Sequence, residues 1–213
     1  MRVYYTKLNQ PLTTGNYQRY LNQMPPVIQQ KIRSYKNWED AHTSLVGKLL
    51  LIQALKDIGL PNVDLSILKY NQYGRPYISE KIDFNISHSE TLVTCVINMQ
   101  GSVGIDVEKI KPIDKTDFYD CWTPKETEAI YKEPKEYHTF YTYWTKKEAL
   151  VKAVGDGLNI PLKNIEITAN HATIVNNGKW YLKEVLLSEK YIAHIATKEP
   201  YNFPIVLIQK EYI

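Results

Sequence analysis

The sequence predicts an α+β fold of two similarly built halves, each a long helix packed on a small, mainly antiparallel sheet. Three observations carry this. Two long stretches have helical apolar periodicity and end at glycine. Each is followed by short strand-like runs separated by turn residues. With 213 residues, 44% hydrophobic and 23% charged, the chain is ordinary globular material, enough for one large domain or two small ones. The halves repeat element order rather than sequence, and the expected division is 1–105 and 106–213.

In the first half, Pro25-Pro26 opens a helical stretch carrying Lys31 and Arg33. Asn37 is placed to cap a helix from Trp38 to Ile58, with Ala41, Leu45, Leu49, Ile52 and Leu55 on its apolar face and Gly59 and Pro61 to stop it. Strands are expected at Leu65–Tyr70, Tyr77–Ile78, Phe84–Ser87, Leu92–Asn98 and Val103–Glu108, with turns at Tyr73-Gly74-Arg75-Pro76 and Gln100-Gly101. In the second half, helices are expected at Thr123–Tyr131 and Lys135–Val154, the latter ended by Gly155 and Gly157. Strands follow at Ile165–Thr168, Ala172–Val175, Trp180–Leu187, Tyr191–Ala196 and Pro204–Gln209, with Asn177-Gly178 as a hairpin signal.

A net charge of +3 is too small to argue for nucleic acid. Its distribution is uneven: residues 1–105 hold 11 Lys/Arg and 7 Asp/Glu, and residues 106–213 hold 15 and 16. A basic half facing an acidic pair suits an anionic ligand bridged by a metal, although solvated faces explain the same charges. The 17 tyrosines suit half-exposed sheets and polar clefts. Cys95 and Cys121 make neither a disulfide framework nor a zinc site, and Cys95 is expected to be a buried thiol. The N-terminus lacks a signal-peptide apolar region and no run is long enough to span a bilayer, so a cytoplasmic protein without membrane contact is expected.

The chemistry centres on Gly104-Ile105-Asp106-Val107-Glu108. Strand alternation puts Asp106 and Glu108 on one face, about 7 Å apart at Cα. Two neighbouring carboxylates call for a cation, and Mg²⁺ prefers oxygen ligands and few protein carboxylates. The competing account is an edge strand kept soluble by its acids. Helical spacing groups Trp144, Glu148 and Lys152, making Glu148 a third oxygen ligand and Lys152 a phosphate contact. A Glu148–Lys152 surface pair competes with that. A Thr145/Glu148 capping box is disfavoured because the apolar pattern starts earlier, at Phe140. Thr123-Pro124-Lys125-Glu126 is a capping box whose structural role already explains Glu126. Ser87, His88 and Ser89 end a strand and could donate to phosphate oxygens, whereas a Ser87–His88 nucleophile pair points to opposite faces. Lys31, Arg33, Ser44 and Arg75 are further phosphate or base contacts. No Walker A loop or Gly-x-Gly-x-x-Gly fingerprint occurs.

Together, Trp38-Glu39-Asp40-Ala41-His42, Tyr73-Gly74-Arg75-Pro76, Phe84-Asn85-Ile86-Ser87-His88-Ser89, Gly104–Glu108 and the run Trp144–Gly155 resemble the 4′-phosphopantetheinyl transferases of the surfactin-synthetase-activating type. The resemblance spans most of the chain, in the family's motif order. It implies a single-chain pseudo-twofold dimer, monomeric as a protein. It also implies transfer of the phosphopantetheine arm of coenzyme A to a serine of an acyl or peptidyl carrier protein, leaving adenosine 3′,5′-bisphosphate. Asp106, Glu108 and Glu148 would then hold Mg²⁺, or Mn²⁺, which also accepts oxygen ligands. Lys152, His88 and Ser87 would meet phosphate oxygens, Arg75 and Pro76 the adenine, and Lys31 and Ser44 the 3′-phosphate. Glu126 matches the position proposed as the base. Ile28 stands where the family has a lysine, which implies either weaker 3′-phosphate binding by the first helix or compensation by Arg33. The segment Lys109–Tyr143, with Tyr119, Trp122, Lys125 and Lys132, is the expected carrier-docking surface. Two other functions compete: a catalytically silent coenzyme A- or carrier-binding homologue, and another Mg²⁺-dependent phosphotransferase.

Overall fold

Every residue of β5 (Leu92–Asn98) is buried, as its apolar run requires, because such a strand is stable only with both faces covered. The computed structural model describes the chain except residues 133–136, 158–159, 175–176 and 202–203. In it β5 lies between β1 (Arg2–Lys7) and β4 (Asp83–Ser89), antiparallel to both, and β11 (Val206–Gln209) joins β1 in parallel. A second sheet runs in the order β6 (Val103–Lys109), β10 (Tyr191–Thr197), β9 (Gly178–Glu184), β8 (His171–Ile174), β7 (Ile165–Thr168), all antiparallel. A short ribbon pairs β2 (Lys69–Tyr70) with β3 (Pro76–Tyr77).

Side-chain alternation turns the two sheets into four layers. Tyr4 of β1 and Val93, Cys95 and Ile97 of β5 pack with Leu45, Leu50 and Leu55 of α3 (Trp38–Asp57). Val3, Leu92 and Val96 point the other way and meet Ile105, Val107, Ala193 and Ile195 of the second sheet. That sheet's far face carries α5 (His138–Val154) through Ala149, Leu150 and Ala153. The order is therefore α3, first sheet, second sheet, α5. The remaining helices, α1 (Thr14–Leu21), α2 (Pro26–Arg33) and α4 (Pro124–Tyr131), lie outside these layers, α1 and α2 against α3 and α4 against α5.

The sheets meet edge to edge at β4 and β6, joined by side chains instead of a backbone ladder. Asp83, Asn85, Ser87 and Ser89 of β4 accept from the amides of Val103, Ile105, Val107 and Lys109, at 2.7, 3.1, 3.4 and 3.1 Å. Alternate residues of one strand thus satisfy the free N–H groups of the next, which otherwise would be costly in a buried edge.

Several boundaries differ from expectation. β1 and α1 carry no strong sequence signal: β1 is a half-hidden inner strand, and α1 buries only Leu21. The 65–70 segment is a 3₁₀ turn, Leu65–Ile67, capped by Asp64, with only Lys69–Tyr70 extended. Asn37 precedes α3 but makes no side-chain cap. The expected start at Lys135 and the end at Val175 lie outside the described residues. The Thr123/Glu126 capping box is present in full, and Gly155 ends α5 at φ +82°, a left-handed conformation that glycine adopts at little cost.

Candidate active site

Gly104 lets α5 approach the β6 edge. A Cβ there would overlap the Ala149 carbonyl and lie 2.5 Å from the Ala153 amide nitrogen. The helix therefore rests directly on the strand, and the residues one turn apart at 148 and 152 reach over Asp106. Asp106 is 3% exposed. Its Oδ1 accepts from Lys152 Nζ at 2.6 Å and from Ser87 Oγ at 3.0 Å, and Lys152 also donates to Ser87 at 3.0 Å. Glu108 accepts from Ser89 Oγ at 2.7 Å. Lys152 thus pairs with Asp106 across the junction rather than with Glu148 along its own helix.

A cleft of 390 Å³ is lined by Ser87, His88, Asp106, Glu108, Trp144, Glu148 and Lys152. Burial raises the Glu108 carboxyl above its usual range, and Asp106 adds to this. Burial and then Asp106 do the same to Glu148. Three acids around one cation leave surplus negative charge, which adds to burial in making two of them bind protons more readily. Asp106 Oδ2 is buried without a hydrogen-bond partner. His88 opens on the cleft, where the protein packed around it and then Lys152 hold its pKa below the ordinary histidine value, which keeps the ring neutral at pH 7.

The donor set fits a hard divalent ion: all oxygen, one orphaned carboxylate atom and unbalanced charge. Among the described residues no three acidic, His or Cys side chains form a ready-made metal cage. An open set suits Mg²⁺, which keeps waters and binds substrate phosphates alongside one or two carboxylates.

A second cavity, of 290 Å³, adjoins through Ile86 and His88, which line both. Lys31, Thr43, Ser44, Lys48, Pro76 and Asn85 are among its walls. Arg75 is turned away, held by Asp83 at 2.7 Å and by the Val103 carbonyl at 3.1 Å. Arg33 is exposed and contacts Gln18 at 3.5 Å. Glu126 is outside both cavities: its Oε2 accepts from the Thr123 amide at 2.9 Å and pairs with Lys147 at 2.6 Å, while Oε1 is buried without a partner. Trp122 is 5% exposed in an aromatic cluster with Phe118, Phe140 and Trp144, whereas Tyr119 is 61% exposed and Lys125 and Lys132 face solvent.

Three residues were not singled out in the sequence. Lys48 lines the second cavity. Lys147 is fully buried, donating to the Cys121 and Leu162 carbonyls at 2.9 Å each besides Glu126. His194 lies beside Asp106 in the sheet register and is 2.8 Å from Thr145 Oγ1. A helical spacing indicated which residues share a face with Lys147, but nothing local announced what packs against it.

Two family profiles match in tandem. Residues 10–100 match the 4′-phosphopantetheinyl transferase N-terminal family and residues 102–204 the 4′-phosphopantetheinyl transferase superfamily. A 4′-phosphopantetheinyl transferase of Bacillus subtilis is 32% identical over 174 residues, covering 78% of this chain and 76% of the relative. The chain belongs to the 4′-phosphopantetheinyl transferases. The transferase Sfp of Bacillus subtilis strain 168 is 31% identical, with 78% and 76% coverage. The transferase gsp of Aneurinibacillus migulanus is 36% identical, covering 69% of this chain and 62% of its own. In this transferase the cleft draws Ser87 and His88 from the first matched region and Asp106, Glu108, Glu148 and Lys152 from the second.

Proposed function

We propose that the junction cleft transfers the 4′-phosphopantetheine arm of coenzyme A to a carrier-protein serine, with Mg²⁺ held by Asp106, Glu108 and Glu148. The observation that carries this is the pairing of an acidic cleft with a basic cavity through two shared β4 residues, Ile86 and His88. Coenzyme A has phosphates at two places, a pyrophosphate and a ribose phosphate, and the two sites match them. Family membership supplies the reaction class.

In the reaction the serine oxygen bonds to the β-phosphorus, and the bond from that phosphorus to the bridging oxygen breaks. The serine proton leaves, and the oxygen departs with adenosine 3′,5′-bisphosphate. Mg²⁺ would supply charge neutralisation on the pyrophosphate. Lys152, already fixed by Asp106 and Ser87, holds an ammonium where negative charge grows on phosphate oxygens. Neutral His88 donates one hydrogen bond to the substrate without adding charge. Pro76 borders the base, while Lys31 and Ser44 face the ribose phosphate. Glu126 is the proposed base for the serine proton by its match to the family's motif; its carboxylate lies outside both cavities, held by the Thr123 amide and Lys147.

Residues 1–105 form the nucleotide side and 106–213 the metal and carrier side of a single-chain pseudo-dimer, monomeric in solution. The two helix-on-sheet layer pairs support this arrangement. Two free thiols suit a reducing, cytoplasmic setting, and no helix among the described residues is long and apolar enough to cross a membrane. Coenzyme A, an apo carrier protein and Mg²⁺ together should release adenosine 3′,5′-bisphosphate, detected by chromatography. Chelation should stop release and added Mg²⁺ or Mn²⁺ restore it. Release that is unchanged by chelator would remove the metal from this reading.

A further inference from the structure

The basic cavity holds a lysine that nothing has yet engaged. Lys48 sits on α3 one turn after Ser44, so both face the same wall. Among the described residues Lys48 has neither an ion pair nor a hydrogen bond. Among the described residues no Asp or Glu lines this cavity, whereas Lys31 and Lys48 both do. A half-buried ammonium beside another cation is unfavourable until an anion arrives.

We propose that Lys48 binds the ribose phosphate of the nucleotide together with Lys31. Ile28 lines the same cavity and is 9% exposed, so the α2 wall presents an alkyl group there. Lys48 brings a charge from the opposing helix. Arg33 is exposed and does not line the cavity. Burial and then Lys31 lower the Lys48 pKa, the effect expected of a cation held ready without a counter-ion. Charge sorting gives the same answer: the acidic cleft needs a metal between it and phosphate, but this cavity meets phosphate directly.

The inference rests on reading the cavity as the nucleotide side, and its test separates the two. Calorimetry compares adenosine 3′,5′-bisphosphate with adenosine 5′-monophosphate on the full chain, its Lys48→Met variant and Lys48→Gln as a polar uncharged control. Loss of a charge-assisted hydrogen bond should weaken the bisphosphate about tenfold or more in both variants. The monophosphate should change by less than about twofold. Lys48→Arg, which keeps the charge, should recover most of the bisphosphate affinity. Equal losses for both nucleotides, or no loss for either, would overturn the role of Lys48 while leaving the nucleotide reading in place. A wild-type chain that binds neither nucleotide would overturn that reading and this inference together.

Discussion

Asp106 shows how one buried carboxylate organises its neighbours. Its Oδ1 is saturated by Lys152 and Ser87, while Oδ2 has no protein partner. Burial, and then the Asp106 charge, pushes up Glu108 and Glu148. Glu148→Gln removes a carboxylate that folding keeps against a like charge. We expect it to raise the metal-free melting temperature by roughly 2–4 °C and to lower transfer by at least about tenfold. Scanning calorimetry and initial rates check both. His194 gives the pH prediction: burial, followed by Lys146 and His138, pushes its pKa down to about 3. The folded state keeps the ring neutral while the unfolded chain protonates it below its ordinary value of 6.5. Stability is therefore fully present above that value and is lost as pH falls, at up to about 1.4 kcal/mol per pH unit from this group. Denaturant melts between pH 7 and pH 5 should show this slope, flattened in His194→Gln. The gathering of Asp106, Glu108 and Glu148 at one cleft was legible from strand and helix spacing alone. Lys48, Lys147 and His194 were not, because their roles arise from what packs opposite them.

At the scale of elements, the contact between β6 and α5 positions the chemistry. Gly104→Ala forces the helix off the strand and should cost about 1–3 kcal/mol, with a fall in kcat because Glu148 and Lys152 move together. Equilibrium unfolding and steady-state rates measure the two effects. The capping box at α4 was readable from Thr123-Pro124-Lys125-Glu126, yet the ion pair beneath it was not. Glu126 therefore has two loads to separate. Glu126→Gln keeps the capping acceptor but removes the charge. If Glu126 is the base, kcat falls about 10²–10⁴-fold while the carrier KM holds. If the Lys147 pair is its whole purpose, the melting temperature falls and kcat does not. The inner strand β1 escaped sequence reading for a related reason. Val3 and Tyr4 point to opposite faces and are both buried, so Arg2–Lys7 lacks the alternation that marks a half-exposed strand.

On the scale of the molecule, two sheets meet back to back and also edge to edge, so the β4–β6 ladder becomes the floor between a basic and an acidic site. The sequence order of strands and helices predicted two helix-on-sheet units, but the side-chain ladder between them required the register of both edges. Carrier recognition belongs to this scale as well. Tyr119, Lys125 and Lys132 are exposed along the segment joining β6 to α5, while Trp122 is withdrawn into the core. Charge reversal at Lys125 and Lys132 should raise the KM for an acidic carrier and spare coenzyme A affinity, and unchanged carrier kinetics would move docking elsewhere. Whether this cleft performs the transfer is tested by intact-mass spectrometry of an apo carrier incubated with the chain, coenzyme A and Mg²⁺. The carrier serine should gain one phosphopantetheine with wild type, and none with Asp106→Ala. A carrier left unmodified by the folded wild-type chain, or fully modified by Asp106→Ala, would contradict transfer by this cleft.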